Sequence, residues 1–306
     1  MKRILITGAG SYLGTNVEAY LKEYCTLHNT AEYQVDTVSQ RSDEWKALDF
    51  SKYDSVFHVT GIAHADVSKV TEEEKQQYYS VNCELAVETA KKAKTEGVRQ
   101  FIYMSSIIVY GESAPIGKKK CITRDTEPAP ANFYGDSKLQ AEYGLGELRT
   151  DDFQVAIVRA PFLYGRGCKG NYVQLAKMAR KLPVFPTLKN ERSMLYVENF
   201  CEFIRLLIES ERGGIFYPQN KEYSSTDEMI KVIAACHGKK VRFCRWMNPF
   251  VKLSAKCPGK IGKLAGKAFG SISYEQSISH DIGDYQIYSF RESIERTECQ
   301  ADKEKD

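Results

Sequence analysis

No C-x-x-C pair, no Cys/His spacing suited to a metal and no apolar run of membrane-spanning length occurs in this sequence of 306 residues. The nine cysteines (Cys25, Cys83, Cys121, Cys168, Cys201, Cys236, Cys244, Cys257 and Cys299) are scattered. Scatter of that kind is expected of reduced thiols in the cytoplasm rather than of a disulfide framework or a zinc site, and no metal site is expected. Charge of one sign is also scarce: charged residues make up 27% of the chain, but the formal net charge is only +3. No strong field therefore points at nucleic acid or an anionic membrane, while a small anionic ligand stays open. The opening Met1-Lys2-Arg3 and the apolar residues after it have the look of a secretion signal, but Gly8 and Gly10 cut the run after four residues, too short for a signal core. No integral membrane segment is expected.

What is present is enough apolar sequence, 42%, for one large domain with a smaller lobe attached. Ile4 to Thr7 reads as a strand, a glycine-rich turn follows, and Asn16 to Tyr24 has helical spacing at Val17, Tyr20 and Leu21. Such units recur. Strands are expected at Tyr33 to Val38, Ser55 to Val59, Phe101 to Met104 and Gln154 to Val158, and helices at Glu84 to Lys94 and Tyr134 to Leu148. This alternation predicts an α/β fold with a parallel sheet wound on both faces. Past Pro161 the pattern loosens, with one strand-helix return at Met194 to Ile208. The expected division is residues 1–166 and 193–217 in the sheet domain, 167–192 and 218–299 in a substrate-binding lobe, and a disordered tail at 300–306. Lys252 to Lys267 is basic with interspersed glycines; its spacing reads as poorly amphipathic, so a solvated lobe surface is expected there rather than a membrane or partner contact.

Gly8-Ala9-Gly10-Ser11-Tyr12-Leu13-Gly14 lies between the first strand and the first helix. There, glycine lets backbone N–H groups approach a pyrophosphate, and the helix N-terminus favours its charge. Asp49-Phe50 follows the second strand at a distance suited to a loop lining an adenine ring, although a turn or cap role explains the aspartate equally well. Tyr134 and Lys138 are four residues apart and share a helix face. A neighbouring ammonium is expected to stabilise the phenolate and lower a tyrosine pKa of about 10, which suits proton exchange with an alcohol. Such a pair is common on exposed helices, but here it follows a strand ending in Ser105-Ser106, where Ser106 is placed to hydrogen-bond the same oxygen.

These features together resemble the extended short-chain dehydrogenase/reductase superfamily, in its nucleotide-sugar epimerase/dehydratase branch. The resemblance covers nearly the whole chain: Thr7 to Gly14, Val59-Thr60-Gly61 beside the cofactor, Asn82, Ser105 to Gly111, Tyr134 to Lys138, Arg159 to Gly165 and Arg192 to Val197. It implies a Rossmann-type doubly wound sheet with a smaller C-terminal substrate-binding lobe. By the same resemblance Ser106, Tyr134 and Lys138 are catalytic, with Lys138 also meeting the nicotinamide ribose. Asn171 and Arg192 are then the residues that meet a nucleotide-sugar diphosphate, for which a guanidinium fork is well suited. A homodimer paired through the Tyr134 helix is implied as well.

Departures from the family narrow the chemistry. Sugar-nucleotide 4,6-dehydratases carry Asp-Glu after the matching serine, and GDP-fucose synthases carry a cysteine at the first of these positions; here they are Ile107 and Ile108, which carry no proton. What remains is hydride chemistry at C4 of a UDP-sugar, by a 4-epimerase or a 4-keto-6-deoxy-sugar reductase. The rivals are a reductase of a non-sugar ketone and a non-catalytic dinucleotide sensor. NAD and NADP both suit the cradle. Asp36 lies mid-strand, and the strand end reads Ser39-Gln40-Arg41, where Ser39 and Arg41 favour a 2′-phosphate and so NADP.

Overall fold

The computed structural model describes residues 1–63, 70–257 and 259–299. The first strand, Lys2–Thr7, has four consecutive buried residues, as a strand covered on both faces requires. It pairs in parallel with Tyr33–Val38 on one side and with Ser55–His58 on the other. Beyond Ser55–His58 the sheet continues, again all parallel, through Gln100–Ser106, Gln154–Ala160 and Gly214–Phe216, giving six strands. Alternate side chains feed two cores. Ile4, Ile6, Phe57 and Ile102 meet Val17 and Leu21 of the first helix and Phe200 and Ile204 of a later one on one face. Leu5, Val56, Phe101 and Tyr103 meet Ala86, Ala90, Ala141 and Leu145 on the other.

The chain leaves the first strand toward one edge and then returns to lay the third strand on the opposite side, so the order reverses between Lys2–Thr7 and Ser55–His58. In such sheets a crevice opens at the carboxyl ends of the strands around that reversal. The ends that meet there are Thr7, His58 and Ser106.

Sequence spacing located these elements closely; the main difference is the first helix, which runs Tyr12–Leu27 rather than from Asn16. Ser11 explains the earlier start, because its hydroxyl accepts the Gly14 N–H at 3.1 Å and caps the helix inside the glycine-rich turn. Outside the large sheet, late strands pair with earlier segments: Phe162–Tyr164 with Met194–Tyr196, Val184–Pro186 with Arg242–Cys244, and Cys121–Ile122 with Ser273–Tyr274. The expected tail at 300–306 lies outside the described residues. No helix among the described residues is long and apolar enough to cross a membrane.

Candidate active site at the sheet reversal

The turn after the first strand needs its glycines. Gly8 and Gly10 have φ of +88° and +74°, a region that costs other residues strain. A Cβ on Gly8 would also stand 3.0 Å from the Thr60 backbone nitrogen, so the two strand-end loops touch backbone to backbone. Tyr12 buries its hydroxyl without a hydrogen-bond partner, and Leu13 packs against the core. Thr60 Oγ1 donates to Gln40 Oε1 at 2.6 Å, and Gln40 Nε2 donates to Thr89 Oγ1 at 2.8 Å, which ties the second strand's exit to the third's. Val59 packs against the core beside Gly14, where an added Cβ would meet both Val59 and Ser11. The exposed turn backbone, the left-handed glycines and the capped helix start fit a dinucleotide pyrophosphate.

Gly61 makes a second close approach, here to the side chains of Asn82 and Lys138. A Cβ on Gly61 would lie 3.1 Å from Asn82 Oδ1 and 3.2 Å from Lys138 Nζ. Asn82 is fully buried in a short π-helical segment, Ser80–Glu84. It accepts the Ile62 N–H at 2.8 Å and donates to Ile62 O and to Ser137 Oγ, both at 3.1 Å. A π-turn of this kind re-aims a side chain at the cost of regular helix. Asn82 thereby fastens the loop after the third strand to the helix that carries Tyr134 and Lys138.

That helix, Phe133–Gly146, is capped by Asn132, whose side chain accepts the Gly135 N–H at 3.1 Å. Its first turn presents Tyr134 half-buried, with the ring edge-on to Tyr78 at 6.0 Å. Ser106 beside the Tyr134 phenol favours its anion, but burial is the larger effect and raises the tyrosine to about 12. This corrects the expectation that Lys138 draws Tyr134 down. Lys138 Nζ instead donates to Met104 O at 2.8 Å and sits over the Tyr103 ring at 4.7 Å. Burial pushes its own pKa down to about 8, opposed by the Glu142 carboxylate. His58, stacked on Phe101 and Tyr103, is buried to the point of a pKa of about 3 and stays neutral, with Nδ1 2.9 Å from Thr7 Oγ1.

A buried network behind Tyr134 and Lys138 is not among the sequence-predicted site residues. Glu142, one turn beyond Lys138, takes three contacts from the Arg159 guanidinium at 2.6 to 3.2 Å and a short hydrogen bond from Ser105 Oγ. Arg159 also donates to Tyr110 OH, and its backbone carbonyl accepts Tyr274 OH at 2.8 Å. The spacing Tyr134, Lys138, Glu142 was the available signal, since three residues at four-residue steps share one helix face. Ile107 is buried and Ile108 half-buried, leaving no titratable group directly after Ser106.

The expected diphosphate residues diverge. Arg192 is nine-tenths buried, donates from Nε to Gly270 O at 2.9 Å and from Nη2 to Lys267 O, and lies over the Phe162 ring at 5.3 Å. Among the described residues its side-chain hydrogen bonds go to carbonyls only, and burial lowers its pKa to about 10. Asn171 is exposed at the first turn of the helix Asn171–Lys181. At the adenine side, Phe50 turns its ring into the core against Trp45 and Tyr53. Asp49 is exposed and accepts from Ser51 N at 2.9 Å and Ser51 Oγ at 2.6 Å, the contacts of a turn. Ser39 and Arg41 are exposed past the end of the second strand, beside a cleft of about 640 Å³ that includes Asp36, Ser39 and Lys52. Asp36 accepts Tyr53 OH at 2.8 Å.

Comparison with known proteins places this arrangement. The chain is 28% identical to UDP-glucose 4-epimerase of Vibrio cholerae, over 87% of this chain and 83% of that one. It is 23% identical to N-acetyl-alpha-D-glucosaminyl-diphospho-ditrans,octacis-undecaprenol 4-epimerase of Escherichia coli O157:H7, over 96% and 93%. Among solved structures, UDP-glucuronic acid 4-epimerase from Bacillus cereus in complex with NAD superposes with a TM-score of 0.69 at 18% identity, covering 97% of this chain and 96% of that one. The dTDP-4-dehydrorhamnose reductase from Bacillus anthracis in complex with NADP does so at 0.69 and 21%, covering 97% and 99%. The sheet is thus Rossmann-like and shared with enzymes that take either dinucleotide. The profile of the NAD dependent epimerase/dehydratase family matches residues 4–217, well over half of the sequence, and the chain belongs to that family.

Proposed function

We propose that this enzyme carries out NAD(P)-dependent oxidoreduction at C4 of a UDP-sugar, as a 4-epimerase or a 4-keto-6-deoxy-sugar reductase. The observation that supports it most is Ser106 beside Tyr134 at the carboxyl end of the sheet, with Lys138 one turn on in the same helix against Gly61, and the Gly8 turn close against the Thr60 backbone. When bound, the nicotinamide supplies or takes the hydride. Gly8, Gly10, Ser11 and Gly14 hold its pyrophosphate, and Ser39 and Arg41 suit a 2′-phosphate, which favours NADP. Tyr134 as a phenol gives a proton to the C4 oxygen in the reductive direction and is left as a phenolate; in the oxidative direction it acts as the phenolate, favoured by Ser106 and opposed by burial, and takes the proton from the C4 hydroxyl. Lys138 supplies positive charge from beneath. Arg192, buried with carbonyl partners alone, offers its remaining fork to a diphosphate. Residues 167–192 and 218–299 form the substrate-binding lobe, and a homodimer through the Tyr134 helix would cover the exposed Tyr143.

The deciding experiment incubates the enzyme with UDP-glucose, UDP-N-acetylglucosamine and their 4-keto-6-deoxy derivatives, with and without NADPH or NADH, and resolves products by NMR. Interconversion of gluco and galacto forms without reductant identifies an epimerase; stoichiometric reductant consumption on a keto sugar identifies a reductase. No reaction with any UDP-sugar overturns the reading. A second reading keeps Arg192 and the triad but places the sugar diphosphate on a polyprenol. It is supported by the Escherichia coli relative, whose name states such a substrate and which aligns over nearly the whole chain.

A further inference from the structure

Between Glu228 and Glu275 the sequence has ten lysines and arginines and no acid, so the remainder of the chain is acidic overall despite a net charge of +3. Taken as one stretch, Lys252 to Lys267 is poorly amphipathic; the fold breaks it into two helices, Asn248–Ser254 and Lys260–Phe269. Lys260–Phe269 turns Ala265 and Phe269 inward and leaves Leu264 65% exposed. Asn248–Ser254 buries none of its residues, although it includes Phe250 and Leu253, which are 66% and 65% exposed. Trp246, in the short turn just before it, is 67% exposed and meets Phe250 edge-on at 6.3 Å. Asn248 fastens this turn to the strand Val184–Pro186 through paired hydrogen bonds with the Thr187 backbone at 3.1 and 2.9 Å. Around the apolar side chains, Arg242, Arg245, Lys252, Lys256 and Lys267 are exposed.

Large apolar side chains held at such exposure mark an interaction face. We propose that this face docks the enzyme on an anionic phospholipid bilayer, with Trp246, Phe250, Leu253 and Leu264 entering the headgroup boundary and the surrounding lysines and arginines meeting lipid phosphates. Charge complementarity selects this occupant. A second copy of the face would bring two acid-free basic surfaces together, which repel. Nucleic acid would use the cations and the aromatic rings but has no place for exposed leucines, whereas the bilayer boundary accepts tryptophan, aliphatic residues and lysine together. The face also leads to the site, because Lys267 and Gly270, at the end of the second helix, receive the Arg192 guanidinium. The orientation of that arginine toward a membrane-borne diphosphate rests on the functional reading above; the docking itself does not.

The sequence has two tryptophans, and Trp45 is 1% exposed, so Trp246 alone reports on the face. Full-length protein would be mixed with vesicles of phosphatidylglycerol and phosphatidylcholine, or phosphatidylcholine alone, without sugar substrate. Expected are a blue shift of Trp246 emission and cosedimentation with the anionic vesicles only, both reversed by high salt. Phe250→Glu combined with Leu253→Glu should weaken cosedimentation roughly tenfold or more while leaving turnover and thermal midpoint unchanged. Absence of sedimentation overturns the proposal. So does a blue shift that appears with protein concentration alone, which would assign the face to a second copy, or one produced by nucleic acid and not by vesicles. Because no substrate is present, each of these failures leaves the C4 reading standing.

Discussion

The helix Phe133–Gly146 and the helix Asn248–Ser254 each set a lysine among apolar residues, yet the first buries seven residues, Lys138 among them, and the second buries none. Lys138 is enclosed by Met104, Tyr103 and Glu142, and burial has taken part of its basicity; Lys252 stands in water. The same residue type thus does opposite work. Inside, a poorly solvated charge is costly, and on the proposed function that cost fixes the charge beside the proton-transferring tyrosine. Outside, charge and apolar surface are kept together, unspent by the fold. The difference teaches that substitutions in the first helix should alter chemistry and stability together, whereas those in the second should touch neither.

The strongest test of that contrast is Tyr134→Phe. Loss of the proton donor should lower kcat by roughly 10² to 10⁴ while dinucleotide affinity, read by fluorescence titration, stays nearly unchanged. Turnover above a few per cent of the native rate would remove Tyr134 from the role assigned to it. Next comes Glu142→Gln, which leaves the Arg159 guanidinium buried without its carboxylate. A loss of about 3 to 5 kcal/mol in unfolding free energy is expected from urea denaturation; a loss under about 1 kcal/mol would mean that Tyr110 and nearby groups already satisfy the arginine.

A smaller effect is expected in the pH profile. A buried lysine with its pKa lowered to about 8 is charged below that pH and neutral above it, so kcat/KM should fall as pH rises through about 8. Glu142 raises that pKa, and its replacement by glutamine should therefore move the falling limb to lower pH in the fraction that stays folded. A limb that does not move would separate the network from the lysine. The smallest effect closes the contrast from the other side: Trp246→Ala should change stability by less than about 0.5 kcal/mol, because removing a largely exposed side chain leaves no cavity. A larger loss would show the Trp246 turn to be part of the core.

Much of the fold was legible in the residues. The β-branched runs at Ile4, Val56 and Val155 and the helical spacing between them were strong because a sheet buried on both faces allows little else. The glycine turn and the triad spacing were legible for the same reason, since each is a local constraint. Three things were not. The Tyr134 pKa depends on how deeply the ring is enclosed, which spacing does not reveal, and burial outweighs the other influences on it. Glu142 and Arg159 are seventeen residues apart and meet only once the helix packs on the strand Gln154–Ala160. The exposed apolar residues after Trp246 lie on two helices separated near Cys257 and Gly259, and a periodicity carried across that break averages their spacing away.

Hydride movement at C4 is the center of the account, and isotope tracing reads it directly. UDP-sugar deuterated at C4 would be incubated with the enzyme, and in a parallel reaction a 4-keto sugar nucleotide would be incubated with dinucleotide carrying deuteride at the nicotinamide C4. The account predicts deuterium retained at C4 of an inverted product in the first reaction, or delivered to C4 of the reduced sugar in the second. Deuterium appearing at another sugar carbon, or exchanged into water during turnover, would contradict it.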